Sequence, residues 1–501
     1  MKDLGALLRT YISECGYTIY KAASLANVNR TTLQKVLSGD RALTEEFLNK
    51  LLPILKLSAA EETELRELYE IEKTGESIHR QRNYILHMLK SVPALSASFT
   101  TPPPFLELSS ANWANSAVSK SPNIYSHMEE KPICGRSRLA LLFSSLLFHA
   151  CAQGEATLLI NVPGNFPLIQ YILNHPALHE KGCRSFKIWH ITPLLKAPGF
   201  SSSPLTNLEI LSALLPHAVI QPQNYEARLF YSHELLSSAL PYAFPYWIVC
   251  NQIVLLISAD GENVLPFTAA SAVTYFKELF YASWKQSHIF LSRFTFSPAA
   301  VNEWTEKDVS SCKLRMLRYQ PYLSVFLDET AVQHCIRAGV SERDALLHFM
   351  SVKGQRLSDS KRLSCIFSQA GLMDFADHGR IWELPSSVSA ALEIAERIHI
   401  LRKLYWHCKY DTIYLRIANP FILPLPEQFS LTLAEHSYLY FCSPETQDSP
   451  WEYVRTAELT LMEAFNDFYE YLADSKLIYT KEETLKEIDR LINVLSQRST
   501  Q

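Results

Sequence analysis

Arg30, Thr31, Gln34 and Lys35 are the side chains whose types and spacing point most directly to chemistry. At i, i+1, i+4 and i+5 they share one face if residues 30–37 are helical. That chemistry is hydrogen bonding to nucleic acid. A Gln amide can pair bidentately with adenine, and Arg or Lys can donate to guanine or to phosphate. Thr32 stands at the margin of the same face. The flanking residues predict what would hold such a helix. Thr18 suits the N-cap of a preceding short helix with Ala22, Ala23 and Ala26 inward, small enough for a second helix to cross closely. Asn27 tolerates the left-handed backbone that a tight turn needs. Val28 plugs the corner, and Asn29 can cap the second helix. Leu33, Val36 and Leu37 then turn inward, and Gly39 provides the stop.

With this pattern, residues 1–57 resemble the DNA-binding domain of helix-turn-helix regulators of the Cro and phage-repressor type. The likeness covers about a ninth of the chain. It extends to Ser38-Gly39-Asp40-Arg41-Ala42-Leu43-Thr44, similar to the small-Gly-x-basic run that leads in this family to the next N-cap. The resemblance implies an all-α domain that contacts double-stranded DNA through Thr18, Asn29, Arg30, Thr31, Thr32, Gln34, Lys35 and Arg41. Two residues depart from the pattern. Asn27 stands where the family usually has Gly. Ile19 stands where many members have a phosphate-contacting Gln, so that contact is not carried over. The competing reading is a small helical module used for protein contacts.

Composition bounds the rest. A chain of 501 residues is too long for one core and predicts on the order of two or three domains. The hydrophobic fraction of 48% and charged fraction of 20% are those of a soluble globular protein. The net charge of −4 means that nucleic acid cannot be held by the whole surface. Residues 1–57 contain eight Lys/Arg (2, 9, 21, 30, 35, 41, 50, 56) and five Asp/Glu (3, 14, 40, 45, 46), an excess of three cations. So modest an excess suits a homodimer that shares the electrostatic work between two half-sites. The ten cysteines are scattered with no C-x-x-C pair, which argues against zinc fingers, iron–sulfur clusters and a disulfide framework, and for buried thiols in a reducing compartment. Asp3, Arg9 and Glu14 interrupt any signal-peptide core. The uncharged stretches 139–154, 156–179 and 235–259 carry polar residues or prolines, so no membrane span is expected, and the location read from the sequence is cytoplasmic.

Four segments follow from the pattern: 1–75 as the DNA-binding domain, 76–110 as a connector helix and Pro-rich linker, and 111–300 and 301–501 as two halves of an α/β region. A helix after Thr44 has Glu45 and Glu46 in its first turn, and Pro53 interrupts or kinks it. Ser58 to Glu61 form a capping box for an acidic helix. A helix over about 76–89 follows, and these two helices read as a connector or dimerisation stalk. Residues 93–110, with three consecutive prolines, read as an extended linker. Beyond it, strands at 156–161, 186–191 and 226–231 alternate with helices at 136–149, 166–174 and 205–215. A hairpin over 246–250 and 253–258 precedes a helix over 269–284. The later part reads as a helix-rich stretch over 329–406, strands at 412–417, 429–434 and 438–442, and helices at 453–472 and 480–495. The two halves share element order without a strict sequence repeat.

Region 241–284 resembles the core of the phospholipase D superfamily: two apolar hairpin strands, then a helix with Tyr275-Phe276-Lys277-Glu278-Leu279-Phe280 and Trp284. That resemblance implies a hairpin on which the family carries H-x-K-x4-D. Superposing the motif puts Phe244, Tyr246 and Asn251 in the three places, and none can serve as nucleophile, cation or carboxylate. His407-Cys408-Lys409 has Asp411 too close, and His179-Glu180-Lys181 has Phe186 where the Asp belongs. Phosphate-cradling glycine loops, the G-x-S-x-G elbow and H-E-x-x-H are absent from the sequence. His175, His179 and Cys183 have metal-like spacing, but Pro176 and Gly182 break the helix that would align them, so neither metal nor cofactor is expected. The aromatic clusters at 242–247 and 438–441 read as core, with a ligand pocket as the alternative.

These features converge on a multidomain, non-enzymatic transcription regulator. A helix-turn-helix domain is followed by a large α/β region, with two similar phospholipase D-like halves, that senses a small-molecule or peptide effector or oligomerises. Two rival readings are a phosphodiesterase or nuclease-like enzyme targeted to DNA and an antitoxin-like interaction protein.

Overall fold

A computed structural model describes residues 4–97, 130–152, 157–175, 178, 187–195, 203–220, 225–232, 244–295, 313–340, 343–344, 346–348, 350, 363–385, 387–427, 429–435, 437–443 and 452–499. The chain divides into two compact units, Met1–Tyr84 and Ile85–Gln501.

The first unit is helical. Its elements are α1 (Leu4–Glu14), α2 (Ile19–Leu25), α3 (Arg30–Leu37), α4 (Glu45–Leu55) and α5 (Ala59–Thr74), and α6 (Glu76–Ala97) begins in it. Leu8, Ile12, Ala22, Ala23, Leu33, Leu37, Leu48, Leu51 and Leu65 are buried together as its core. Gly5 lets α1 lie close to the end of α3: a Cβ there would come within 2.8 Å of the Leu37 carbonyl oxygen. Glu45 and Glu46 occupy the first turn of α4, as the helix dipole favours. Pro53 does not end α4, which continues to Leu55. The capping box is formed: the Glu61 backbone N–H donates to Ser58 Oγ at 3.3 Å, and the Ser58 N–H donates to Glu61 Oε2 at 2.7 Å. Helix α6 runs past Leu89 to Ala97, beyond Pro93 where the linker was expected to begin. Residues 98–110 of that linker lie outside the described residues.

The second unit is built on one mixed sheet. Among the described residues its fourteen strands are β1 (Ile133–Cys134), β2 (Thr157–Asn161), β3 (Lys187–Leu195), β4 (Tyr225–Ser232), β5 (Tyr246–Cys250), β6 (Ile253–Ile257), β7 (Asn263–Phe267), β8 (His288–Thr295), β9 (Leu314–Arg318), β10 (Leu363–Ser368), β11 (Tyr414–Ala418), β12 (Ser430–Ala434), β13 (Tyr438–Ser443) and β14 (Glu452–Thr456). Their order is β1-β7-β6-β5-β2-β3-β4-β8-β14-β13-β12-β9-β10-β11. The associated helices are α7 (Arg136–Ala152), α8 (Pro167–Leu173), α9 (Ser203–Ile220), α10 (Ala270–Gln286), α11 (Glu329–Cys335), α12 (Gln369–His378), α13 (Ile394–Lys409), α14 (Leu459–Ala473) and α15 (Lys481–Arg498). β9 and β10 are buried along their whole length, as strands covered on both faces must be.

That order contains one topology twice. In the first half β2, β3 and β4 are parallel neighbours, and the antiparallel run β5-β6-β7 attaches to β2. In the second half β9, β10 and β11 are parallel neighbours, and β12-β13-β14 attaches to β9. A long helix follows each antiparallel run, α10 and α14 respectively. After α10 the chain returns as β8, antiparallel to β4, and after α14 it returns at Ile478, bridged antiparallel to Ala418 of β11. β8 also pairs antiparallel with β14, which joins the halves into one sheet. Counting the antiparallel steps from β4 to β9 reverses the direction of the second parallel set. Because the strand order is the same in both halves while the strand direction is reversed, the second half is turned over. Helix α10, packed with Leu159, Ile191 and Val249, therefore lies on the opposite face of the sheet from α14, whose Phe465 packs on Phe441.

Two further expectations are corrected. The helix expected at 453–472 is strand β14 followed by α14, because Val454 and Thr456 turn into the sheet before Glu458 starts the helix. The stretch 329–406 is not uniformly helix-rich, since it contains the fully buried strand β10, and buried strands carry no alternation to announce them. Cys151, at the end of α7, is disulfide-bonded, whereas Cys250, Cys335, Cys365 and Cys408 are buried free thiols.

Candidate nucleic-acid interface

The candidate site is built by α2, the turn after it, and α3. Thr18 caps α2, its hydroxyl accepting the Lys21 N–H at 3.2 Å. Asn27 has φ of 53°, the left-handed conformation expected of it, and Val28 N–H returns to the Ala23 carbonyl at 2.9 Å. Asn29 Oδ1 accepts the backbone N–H groups of Thr31 at 2.9 Å and Thr32 at 3.2 Å, so two of the donors that open α3 are satisfied. Gly39, with φ of 79°, follows the last turn. Leu33, Val36 and Leu37 are buried, which fixes the rotation of α3 about its axis.

That rotation leaves Arg30, Thr31, Gln34 and Lys35 exposed side by side. Thr32 is half-buried at the edge of this face, and Arg41 Nη1 donates to its hydroxyl at 3.4 Å. Thr18 and Asn29 are exposed, but both are engaged as caps. The α3 face carries two cations, an amide and a hydroxyl, and no carboxylate. The nearest acid in sequence, Asp40, accepts a hydrogen bond from Ser38 Oγ at 2.6 Å. Ile19 packs against the core of the unit.

Two further residues of the unit carry no sequence signal. Tyr20 is 69% exposed on the first turn of α2, beside Lys21, whose ammonium lies 5.4 Å from the Tyr17 ring centroid. Arg9 Nη2 reaches from α1 to the Leu37 carbonyl at 3.2 Å, placing a positive charge at the C-terminal end of α3, where the helix dipole favours it. Only the packing of α1 against α3 reveals that placement.

No protein-family model and no curated protein matches this chain.

The other tested constellations are placed as follows. The hairpin expected in the phospholipase D-like region is β5–β6, with Asn251 at φ of 49° in its turn and Tyr246 buried at its start. Phe244 precedes β5. Of the metal-like set, His175 is buried with Nε2 at 3.0 Å from Ser144 Oγ, and His179 and Cys183 lie outside the described residues. Among the described residues no group of three His, Cys, Asp or Glu is placed to hold a metal ion, and no helix is long and apolar enough to cross a membrane. His407 is hydrogen-bonded to Thr412 Oγ1 at 2.7 Å and packs on Phe326, a structural role on α13.

Proposed function

We propose that this chain is a sequence-specific DNA-binding transcription regulator. The first unit acts as a helix-turn-helix domain of the Cro and phage-repressor type, and the second as a non-catalytic sensing or oligomerisation region. The observation that carries this reading is the rotation of α3. Its apolar side is buried and its ends are capped, and the cluster Arg30, Thr31, Gln34 and Lys35 is left exposed without an acid. An eight-residue helix of this kind fits the major groove, where Gln34 meets base edges and Arg30 or Lys35 meets guanine or phosphate. One such helix covers too little DNA for specific affinity, so the reading includes a homodimer on a two-fold-symmetric site.

The repeated topology of the second unit favours a degenerate phospholipase D-like region with two halves. Superposing that family's motif on the sequence puts Phe244, Tyr246 and Asn251 where its catalytic residues would stand, and this favours a binding role over phosphodiester cleavage. An effector of small-molecule or peptide class and a cytoplasmic location complete the proposal. The test is footprinting of the full-length protein on genomic duplex fragments, with light scattering at micromolar concentration for the dimer. Discrete protected sites and a dimeric mass support the reading. Turnover of a chromogenic phosphodiester by purified protein would replace it with the enzyme reading.

A further inference from the structure

Helix α13 carries an outward surface of a second kind. From Arg397 to Tyr410 the chain contains no acid, although the protein as a whole has a net charge of −4. The aliphatic residues of this stretch, Ile398, Ile400, Leu401 and Leu404, are buried. What remains outside at its C-terminal end is aromatic and cationic. Trp406 is 50% exposed and Tyr410 58%, with their rings 5.2 Å apart, and Lys409 Nζ sits 5.8 Å from the Tyr410 ring centroid and 5.9 Å from that of Tyr405. Arg402, one turn earlier, is exposed. The nearest following acid, Asp411, is engaged by Lys481 and lies 3.8 Å from Arg416, so it does not offset these cations.

We propose that Arg402, Trp406, Lys409 and Tyr410 form a binding surface for single-stranded nucleic acid. Its cations would track phosphates, and Trp406 and Tyr410 would stack on unpaired bases. This combination of ring faces and positive charge holds single strands without reading sequence, since every base has a π-face. A duplex keeps its bases stacked internally and cannot use the rings in this way. A membrane surface would call for exposed aliphatic side chains on the same face, and those of α13 point inward. The surface belongs to the second unit, α3 to the first, and the proposal does not depend on duplex reading by α3.

The test is fluorescence anisotropy of the full-length protein with labelled oligothymidylate at several salt concentrations. Trp406→Ala is expected to weaken binding about tenfold, and Trp406→Phe to restore most of it. Arg402→Glu/Lys409→Glu should weaken binding and flatten its salt dependence. Circular dichroism verifies folding of each variant. Gln34→Ala/Lys35→Ala should leave oligothymidylate binding intact. The proposal would be overturned by no binding by the wild type, equal binding by every α13 variant, or loss only in the α3 variant. It would also be overturned if Trp406→Ala abolished binding to anionic phosphatidylserine vesicles, or self-association, while leaving oligothymidylate binding unchanged.

Discussion

Tyr231 donates its phenolic hydrogen to Glu458 Oε1 at 3.2 Å, joining the last parallel strand of the first half to the residue that caps α14 in the second. Glu458 is buried and accepts two further hydrogen bonds, from Thr460 Oγ1 at 2.6 Å and the Leu461 N–H at 2.8 Å. Asn207 of α9 donates to the same Thr460 hydroxyl at 2.9 Å. A buried carboxylate with this many donors is costly to remove singly. Glu458→Gln should destabilise the second unit by roughly 1–3 kcal/mol in urea melts. A double-mutant cycle with Tyr231→Phe should give a coupling of about 1 kcal/mol. Burial, and after it the Glu458 charge, push the Tyr231 phenol up to about 12. Its contribution is therefore complete below its ordinary value near 10 and lost as pH rises toward 12. A coupling of zero would mean that the two halves are not held together at this point.

The acid limb of stability should depend on His190. As a neutral ring it donates from Nε2 to the Val162 carbonyl at 2.7 Å and accepts at Nδ1 from the Tyr225 hydroxyl at 2.9 Å. Burial lowers its pKa from 6.5 to about 4, partly opposed by the Val162 bond. The unfolded chain thus takes up this proton first. Stability should be complete above pH 6.5 and fall as pH drops toward 4, by up to roughly 3 kcal/mol. Urea midpoints across that window should fall less steeply for His190→Gln than for wild type. Parallel slopes would remove His190 from the account.

The turn between α2 and α3 gives a backbone test. Asn27 pays for a left-handed φ of 53° that a β-branched residue resists. Asn27→Gly should be close to neutral in thermal melts, and Asn27→Val should lose about 1–2 kcal/mol. Equal stability of the two variants would show that the turn relaxes to another conformation.

The local chemistry of the first unit could be read from residue types because it depends on neighbours in sequence. Thr18, Asn27, Asn29 and the Ser58–Glu61 pair act within four residues, and each acts as its type suggests. In the second unit the strands whose apolar runs are bounded by turns are legible, early (β2, β3, β5, β6) and late (β11, β12, β13) alike. β14 was absorbed into the following helix because only two residues, Ala457 and Glu458, separate them. β8 and β9 pair with strands remote in sequence, and no local pattern specifies those partners. The need for Gly371 was equally hidden. A Cβ there would lie 2.0 Å from the Tyr319 carbonyl oxygen, a clash set by the packing of α12 on the segment after β9. The α13 surface is hidden in the sequence because Trp406 and Tyr410 look like core residues until burial separates them from Leu401 and Leu404.

The most direct test of the central claim is base preference at α3. Full-length protein is used to select bound sequences from a random duplex pool, and affinities for the selected site are compared for wild type, Gln34→Ala and Lys35→Ala. A defined site should be enriched. Gln34→Ala should relax preference at one position of each half-site, at a cost of roughly 1–3 kcal/mol. Lys35→Ala should weaken all sequences alike and reduce the salt slope by about one, as expected of a phosphate contact. A pool that shows no enrichment, or enrichment and affinity unchanged in both variants, would contradict the assignment of α3 as the helix that reads DNA.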